Sequence, residues 1–272
     1  MQHFNLAICS LASGSSGNSY LVMTENTAVL VDAGISGRQI LQRIALFGLS
    51  AEDISAVLIT HEHSDHIKGL RPVCRASGAP VMLTQGTLEG LGTSSEPDDA
   101  VIFSPGEVFD IGDIEVRSFA TSHDANEPVG FCFLANGRQI TIVTDTGYVT
   151  EGCFAGMKDA DIIVLESNHD ESVLRIGRYP LFLKQRILSD LGHLSNDTAA
   201  NALLSVLTDE RIETGRSRKR QILLAHLSRE NNFPEMAYTT FKNVLAAGGF
   251  PLGDLLQVDV LSREVQSPLY MI

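Results

Sequence analysis

Cysteine is scarce and scattered in this chain: Cys9, Cys74, Cys132 and Cys153 show no C-x-x-C spacing. Each sits among apolar or small neighbours, which suits reduced core thiols better than disulfides or a zinc knuckle. Long hydrophobic runs are absent, since no stretch approaches the roughly 20 apolar residues needed to cross a bilayer. No basic segment precedes an apolar stretch near Met1, so neither a secretory signal nor membrane insertion is expected, and the cytoplasm is the expected compartment. Positive charge is also short. Lys and Arg number 20 against 33 Asp and Glu, and the net charge of −13 argues against broad, charge-driven adhesion to nucleic acid or an anionic membrane. Pro-rich linkers, tandem repeats and low-complexity tracts are missing as well. What remains is 272 residues with 44% hydrophobic content, enough for a large core, and one domain over residues 1–272 is expected.

Apolar patterning alternates strands with helices. Strand-like segments lie near 5–12, 19–24 and 28–33, followed by a helix over 36–47 that Gly48 ends. Strand 55–60, helix 66–77 and strand 79–84 form a β-α-β unit. Strands are expected near 101–103, 107–109, 113–120, 129–135 and 138–144, the last two joined by the hairpin dipeptide Asn136-Gly137. A helix near 150–157, strand 161–165, helices 180–190 and 196–208, strand 220–225 and helix 234–247 complete the pattern. Two sheets with helices outside them would follow, with ligands converging at one edge.

The densest chemistry is His61-Glu62-His63-Ser64-Asp65-His66, which directly follows the apolar run Val57-Leu58-Ile59. In extended backbone His61 and His63 point to one side and can share an ion. Asp65 and His66 come where the spacing of Ile67, Leu70, Val73 and Cys74 turns helical, so this second pair is aimed differently and can serve a neighbouring ion. The other reading is a solvated polar loop with Asp65 capping the helix.

The pattern H-x-H-x-D-H after a strand resembles the signature of the metallo-β-lactamase-fold hydrolases, and the resemblance runs through most of the chain. It implies an α/β fold, a four-layer αβ/βα sandwich. It also implies that Asp32, in Val29-Leu30-Val31-Asp32-Ala33-Gly34, supports the histidine loop from behind. His123, Asp145 and His226 match the later ligand positions. By resemblance, His61, His63 and His123 hold one ion and Asp65, His66 and His226 a second, with Asp145 shared between them. Imidazole and carboxylate without cysteine fit zinc, manganese or iron. Two such ions would lower the pKa of a bridging hydroxide's parent water and aim it at an electrophile. With Asp65 and Asp145 ionised and one hydroxide, the formal charge of the core is about +1, which favours an anionic phosphodiester. Aspartate rather than cysteine at position 145 also counts against β-lactam hydrolysis.

More narrowly, the chain is similar to the YycJ/WalJ/VicX nuclease branch through Ser13-Gly14-Ser15-Ser16-Gly17-Asn18-Ser19, Leu165-Glu166-Ser167-Asn168-His169-Asp170, Gly192-His193-Leu194-Ser195-Asn196 and Ala225-His226-Leu227-Ser228-Arg229-Glu230-Asn231-Asn232. The branch implies a binuclear phosphodiesterase acting on nucleic acid as a 5′-to-3′ DNA exonuclease. His193 resembles a non-ligand histidine that protonates the leaving oxygen, so His193 and Asp65 are the expected catalytic residues; His193 could instead belong to a helix-capping region. Ser15, Ser16 and Asn18 could cradle a phosphate or form a tight turn. His169 could touch substrate or fill a polar turn. The basic run Arg216-Ser217-Arg218-Lys219-Arg220 and the sparser Arg175, Arg178, Lys184 and Arg186 could meet phosphates or be solvated faces. Tyr148 could stack on a base or simply pack. Two alternatives remain: a small-molecule metallohydrolase, cyclic phosphodiesterase or thioesterase, and a non-catalytic binding module.

Overall fold

Seven strands in the order β14-β1-β2-β3-β4-β5-β6 form the sheet that carries the histidine-rich loop. The computed structural model describes residues 4–92, 97, 99–215 and 218–272. Arg216 and Ser217 of the basic run lie outside these residues. The chain divides into two compact units: the first is Met1–Ala120, Ala125–Gln139 and Ser262–Ile272, the second Thr121–Asp124 and Ile140–Leu261.

In the first unit, β1 (Ala7–Ala12), β2 (Ser19–Met23) and β3 (Ala28–Val31) lead to α1 (Gly37–Ile44). Then come β4 (Ile54–Leu58), α2 (Ser64–Ile67), α3 (Leu70–Ser77), β5 (Val81–Thr84), α4 (Gln85–Gly90) and β6 (Ala100–Phe103). The β1-β2-β3 pairings are antiparallel and β3-β4-β5-β6 are parallel. Strands β1 to β3 are buried on both faces, as their unbroken apolar runs require. Ile40 and Ile44 of α1 and Leu70 and Val73 of α3 join Leu11, Leu30, Val57 and Ile59 in one core. Each such side chain contributes about 1.5–3 kcal/mol relative to exposure. β7 (Val108–Ile111), β8 (Ile114–Ala120) and β9 (Val129–Ala135) follow as an antiparallel meander.

In the second unit, β10 (Arg138–Val143, from Ile140 onward), α5 (Glu151–Lys158), β11 (Ile162–Glu166), α6 (Glu171–Ile176), α7 (Leu181–Ile187), α8 (Asn196–Thr214), β12 (Arg220–Ala225), α9 (Pro234–Ala247) and β13 (Leu256–Val260) succeed one another. The four strands are parallel in sequence order. α8 packs against α9 and α5. The chain ends in β14 (Tyr270–Met271), antiparallel to β1 in the first unit.

The expected helix over 66–77 is two pieces, and Gly69 is the reason. Its N–H bonds Ala33 O at 2.7 Å, and a Cβ there would lie 2.1 Å from Ile35 O, so this backbone serves a tertiary contact that interrupts the helix. α4, α6, β13 and β14 are elements that the apolar pattern did not expect, and α8 runs to Thr214 rather than 208. All four are short, and several of their side chains face solvent. The helix expected to end at Gly48 does so, with Gly48 in the left-handed region at φ 79°.

Candidate metal centre and its supporting carboxylates

Among the described residues four non-glycine positions adopt positive φ, and three of them are site candidates: Asp32 (60°), Asp145 (53°) and His226 (54°). Each follows a buried strand by one or two residues, where the chain must turn sharply while its side chain stays aimed. Such backbone costs about 1–3 kcal/mol per residue and persists where the surroundings enforce it, as functional sites do.

In the first unit, Asp32 organises the histidine loop. Its Oδ1 accepts from Thr60 N at 2.9 Å, its carboxylate accepts from Thr60 Oγ1 at 2.9 Å, and its Oδ2 lies 2.8 Å from His66 Nδ1. A carboxylate only accepts, so Nδ1 of His66 carries the proton and Nε2 presents its lone pair. Thr60 Oγ1, having spent its proton on Asp32, lies 3.0 Å from His61 Nδ1, which orients His61 Nε2 outward in the same way. That Nε2 stands 3.1 Å from His63 Nδ1, and His66 Nε2 stands 3.7 Å from Asp65 Oδ2. The expected pairs, His61 with His63 and Asp65 with His66, are therefore formed within this unit.

The Ser13–Ser19 segment bears on this loop through Asn18. Its Nδ2 lies 3.0 Å from His66 Nε2 and 3.4 Å from Asp65 Oδ2, while its Oδ1 accepts from Gly14 N at 2.9 Å. Ser15 and Ser16 sit exposed at the tip of the turn that Gly17 N closes onto Gly14 O. Gly34 makes the close approach possible: a Cβ there would lie 1.7 Å from Asp65 O. Asn18 N donates to Asp65 O and Ala33 N to His66 O, both backbone bonds under 3 Å.

In the second unit the hub is Glu166, fully buried at the end of β11. Its Oε1 lies 2.7 Å from His193 Nδ1 and 3.0 Å from His226 Nδ1, and its Oε2 accepts from Thr146 N at 3.0 Å and Leu194 N at 3.3 Å. Burial alone would raise its pKa, but the nearby His193 charge and the hydrogen bonds from both imidazoles outweigh that and hold it at about 2. His226 Nδ1 also faces Asp145 Oδ1 at 3.0 Å. His123 Nδ1 is 3.0 Å from Gly192 O, and its Nε2 faces Asp124 Oδ1 at 3.4 Å and Asp145 Oδ1 at 3.9 Å. Burial lowers the His123 pKa, so the ring is held neutral, the form a ligand needs.

Asp145, Glu166, His193 and His226 each present a ligand-type atom within 4.8 Å of the others. The Nδ1 edges of His193 and His226 are taken by Glu166, which makes Glu166 the group that orients them. The donor set fits a divalent ion: imidazole and carboxylate, with buried carboxylates fixing the rings behind them. Sequence reasoning missed Glu166, although its signal was present as a carboxylate closing the apolar run Ile162-Ile163-Val164-Leu165.

Three further expected residues are placed as follows. His169 is buried at 1% exposure beside Ser195, with neither ring nitrogen hydrogen-bonded, and burial lowers its pKa to about 4. Arg218 and Lys219 precede β12, whereas His226 follows it, so the six residues of the strand separate them by about 20 Å at ~3.3 Å each. Arg218 binds Glu210 Oε1 at 3.2 Å and is not brought to the histidine cluster.

Residues 27–212 match the model of the β-lactamase superfamily domain. The chain is 43% identical, over 94% of both sequences, to a Bacillus anthracis protein named exodeoxyribonuclease YycJ. It is 39% identical, over 95% of both, to exodeoxyribonuclease WalJ of Streptococcus pneumoniae. The crystal structure of YhfI from Bacillus subtilis, a metallo-β-lactamase-fold protein, superposes with a TM-score of 0.69 at 17% identity, over 97% of this chain and 99% of that one.

Proposed function

The chain belongs to the β-lactamase superfamily, whose metallo-β-lactamase fold it has, and from that premise we propose that it is a metal-dependent 5′-to-3′ exodeoxyribonuclease. The observation that carries the reading is the tautomer control described above. Asp32 and Glu166 occupy the Nδ1 edges of His66 and His226, so both rings offer Nε2 as a ligand atom. The DNA substrate is supported by the two relatives, each named an exodeoxyribonuclease and matched almost end to end. That match also supports one hydrolase domain over 1–272, and a DNA substrate is in keeping with work in the cytoplasm. Among the described residues no helix is long and apolar enough to cross a membrane.

His61, His63 and His123 would hold one ion and Asp65, His66 and His226 a second, with Asp145 shared; the ions are zinc or manganese, with iron also compatible with the donors. Bound there, two divalent cations supply an activated water and positive charge for a phosphodiester under attack. The chain's own groups do the rest. Asn18 secures Asp65 and His66 to the early turn. Glu166 accepts a hydrogen bond from Nδ1 of His193, which leaves the opposite edge of that ring to exchange a proton with the departing oxygen. Ser15 and Ser16, exposed on their turn, are candidates for touching the substrate's phosphates.

The test is degradation of 5′- and 3′-end-labelled DNA, RNA and bis(p-nitrophenyl) phosphate by the manganese- or zinc-loaded protein, with chelator as control. Stepwise shortening of DNA from the 5′ end is expected. Cleavage of the small ester alone would sink the nuclease reading and favour a small-molecule metallohydrolase.

A further inference from the structure

Resting on the nucleic-acid reading above, we propose that the α6–α7 segment is a platform on which a single strand of nucleic acid lies as it enters the site. Three large apolar side chains stand exposed within seven residues: Ile176 (86%), Leu181 (70%) and Phe182 (71%). Scattered exposed apolar residues need no explanation, but a group this dense marks an interaction surface. Cations are interleaved with it. Residues 171–187 hold Arg175, Arg178, Lys184 and Arg186; Arg175 is paired with Glu171 and Arg186 with Asp124, which leaves Arg178 and Lys184 to carry the positive charge here, in a chain of net charge −13. A positive, partly aromatic island on an acidic protein is complementary to a polyanion with flat apolar faces. Single-stranded nucleic acid is that ligand: a base stacks on Phe182 while Arg178 and Lys184 meet phosphates. A duplex keeps its base faces hidden and would leave the apolar residues uncovered.

This segment is tied to the site by the chain that follows it. His193 N bonds Ile187 O at 3.0 Å, Ser122 Oγ donates to Asp190 O at 2.7 Å, Asp124 N to Leu191 O at 3.1 Å, and His123 Nδ1 lies 3.0 Å from Gly192 O. Arg186 Nε donates directly to Asp124, the neighbour of His123. Gly192 is required here, since a Cβ would lie 2.2 Å from Ile187 O. Leu191 (53%) and Tyr148 (49%) are also exposed in this unit.

The test compares wild type with Phe182→Ala and Arg178→Glu. Fluorescence anisotropy with labelled oligo(dT) in chelator reads binding, and oligonucleotide degradation and bis(p-nitrophenyl) phosphate hydrolysis read function. Each variant is expected to weaken oligo(dT) binding and raise the oligonucleotide KM by about tenfold, with small-ester turnover and melting temperature unchanged. Variants that bind and degrade oligonucleotide like wild type would overturn the proposal. So would sedimentation showing a wild-type dimer that Phe182→Ala dissociates without changing oligo(dT) binding, which would assign the surface to self-association. A wild type that binds oligo(dT) but never degrades DNA would instead refute the exonuclease reading and leave the platform supported.

Discussion

Oε1 of Glu166 lies 2.7 Å from Nδ1 of His193 and 3.0 Å from Nδ1 of His226, so one buried carboxylate oxygen fixes two imidazoles at once. Replacing it with the neutral, nearly isosteric Gln removes the charge that holds both rings. It also turns an NH2 group toward either the histidines or the Thr146 and Leu194 amides, leaving buried donors face to face. Glu166→Gln should lower kcat/KM on DNA by about 10–100-fold, the usual effect of losing a carboxylate behind a ligand. Steady-state assays and metal analysis after gel filtration check it. Wild-type turnover with full metal retention would contradict the role assigned to Glu166.

Gly34 offers a backbone test of the histidine loop. A Cβ at this position would lie 1.7 Å from Asp65 O and 2.5 Å from Asn18 N, both backbone atoms with little freedom to yield. Gly34→Ala should therefore push the Asp65-His66 segment away from the early turn. The expected cost is at least about 1–3 kcal/mol, read as a lower urea midpoint, with metal-dependent activity lost in parallel. Gly92, where an added Cβ meets nothing within 4 Å among the described residues, is the control position for the same substitution.

The parts of the site legible in the sequence are those with rare residues in a tight pattern. His61, His63, Asp65 and His66 lie within six consecutive positions after an apolar strand, and the structure pairs them as their spacing implied. Asp32 was expected from the family resemblance rather than from local spacing, and its carboxylate bonds Thr60 and His66 of the loop. Glu166 was not recognised because a carboxylate is common at strand ends and its partners, His193 and His226, lie 27 and 60 residues away. Arg218 and Lys219 are close to His226 in sequence, but the whole of β12 lies between them, a separation that sequence proximity does not show. The helix expected over 66–77 failed at Gly69 for a tertiary reason, its contact with the Ala33–Ile35 backbone, which no helical periodicity could reveal.

His169 gives the fold a pH dependence whose sign is fixed by burial. Its pKa falls from 6.5 to about 4 because burial penalises the charged ring. Between those values the unfolded chain binds a proton that the native state refuses, so stability rises with pH there and is lost as pH falls from 6.5 toward 4. The loss from this group is at most about 3 kcal/mol. Urea unfolding of wild type and His169→Gln at pH 7 and pH 4.5 should show a smaller acid loss in the variant. Equal losses in both proteins would mean that His169 titrates in the native state.

Glu210 separates stability from catalysis at the opposite end of β12. Its Oε2 lies 2.9 Å from Nη2 of Arg220, a guanidinium only 1% exposed that also donates to Met157 O at 2.8 Å, and its Oε1 binds Arg218. Removing one member of a buried ion pair strands the other charge without water, which costs about 3–5 kcal/mol. Glu210→Ala should therefore lower the melting temperature strongly, while kcat measured below the transition stays at the wild-type value. Arg218→Ala, on the half-exposed arm of the same network, should cost less than about 1 kcal/mol and leave DNA degradation unaltered. A selective loss of activity in Arg218→Ala would restore this residue to the substrate path and contradict its placement beyond the far end of the strand.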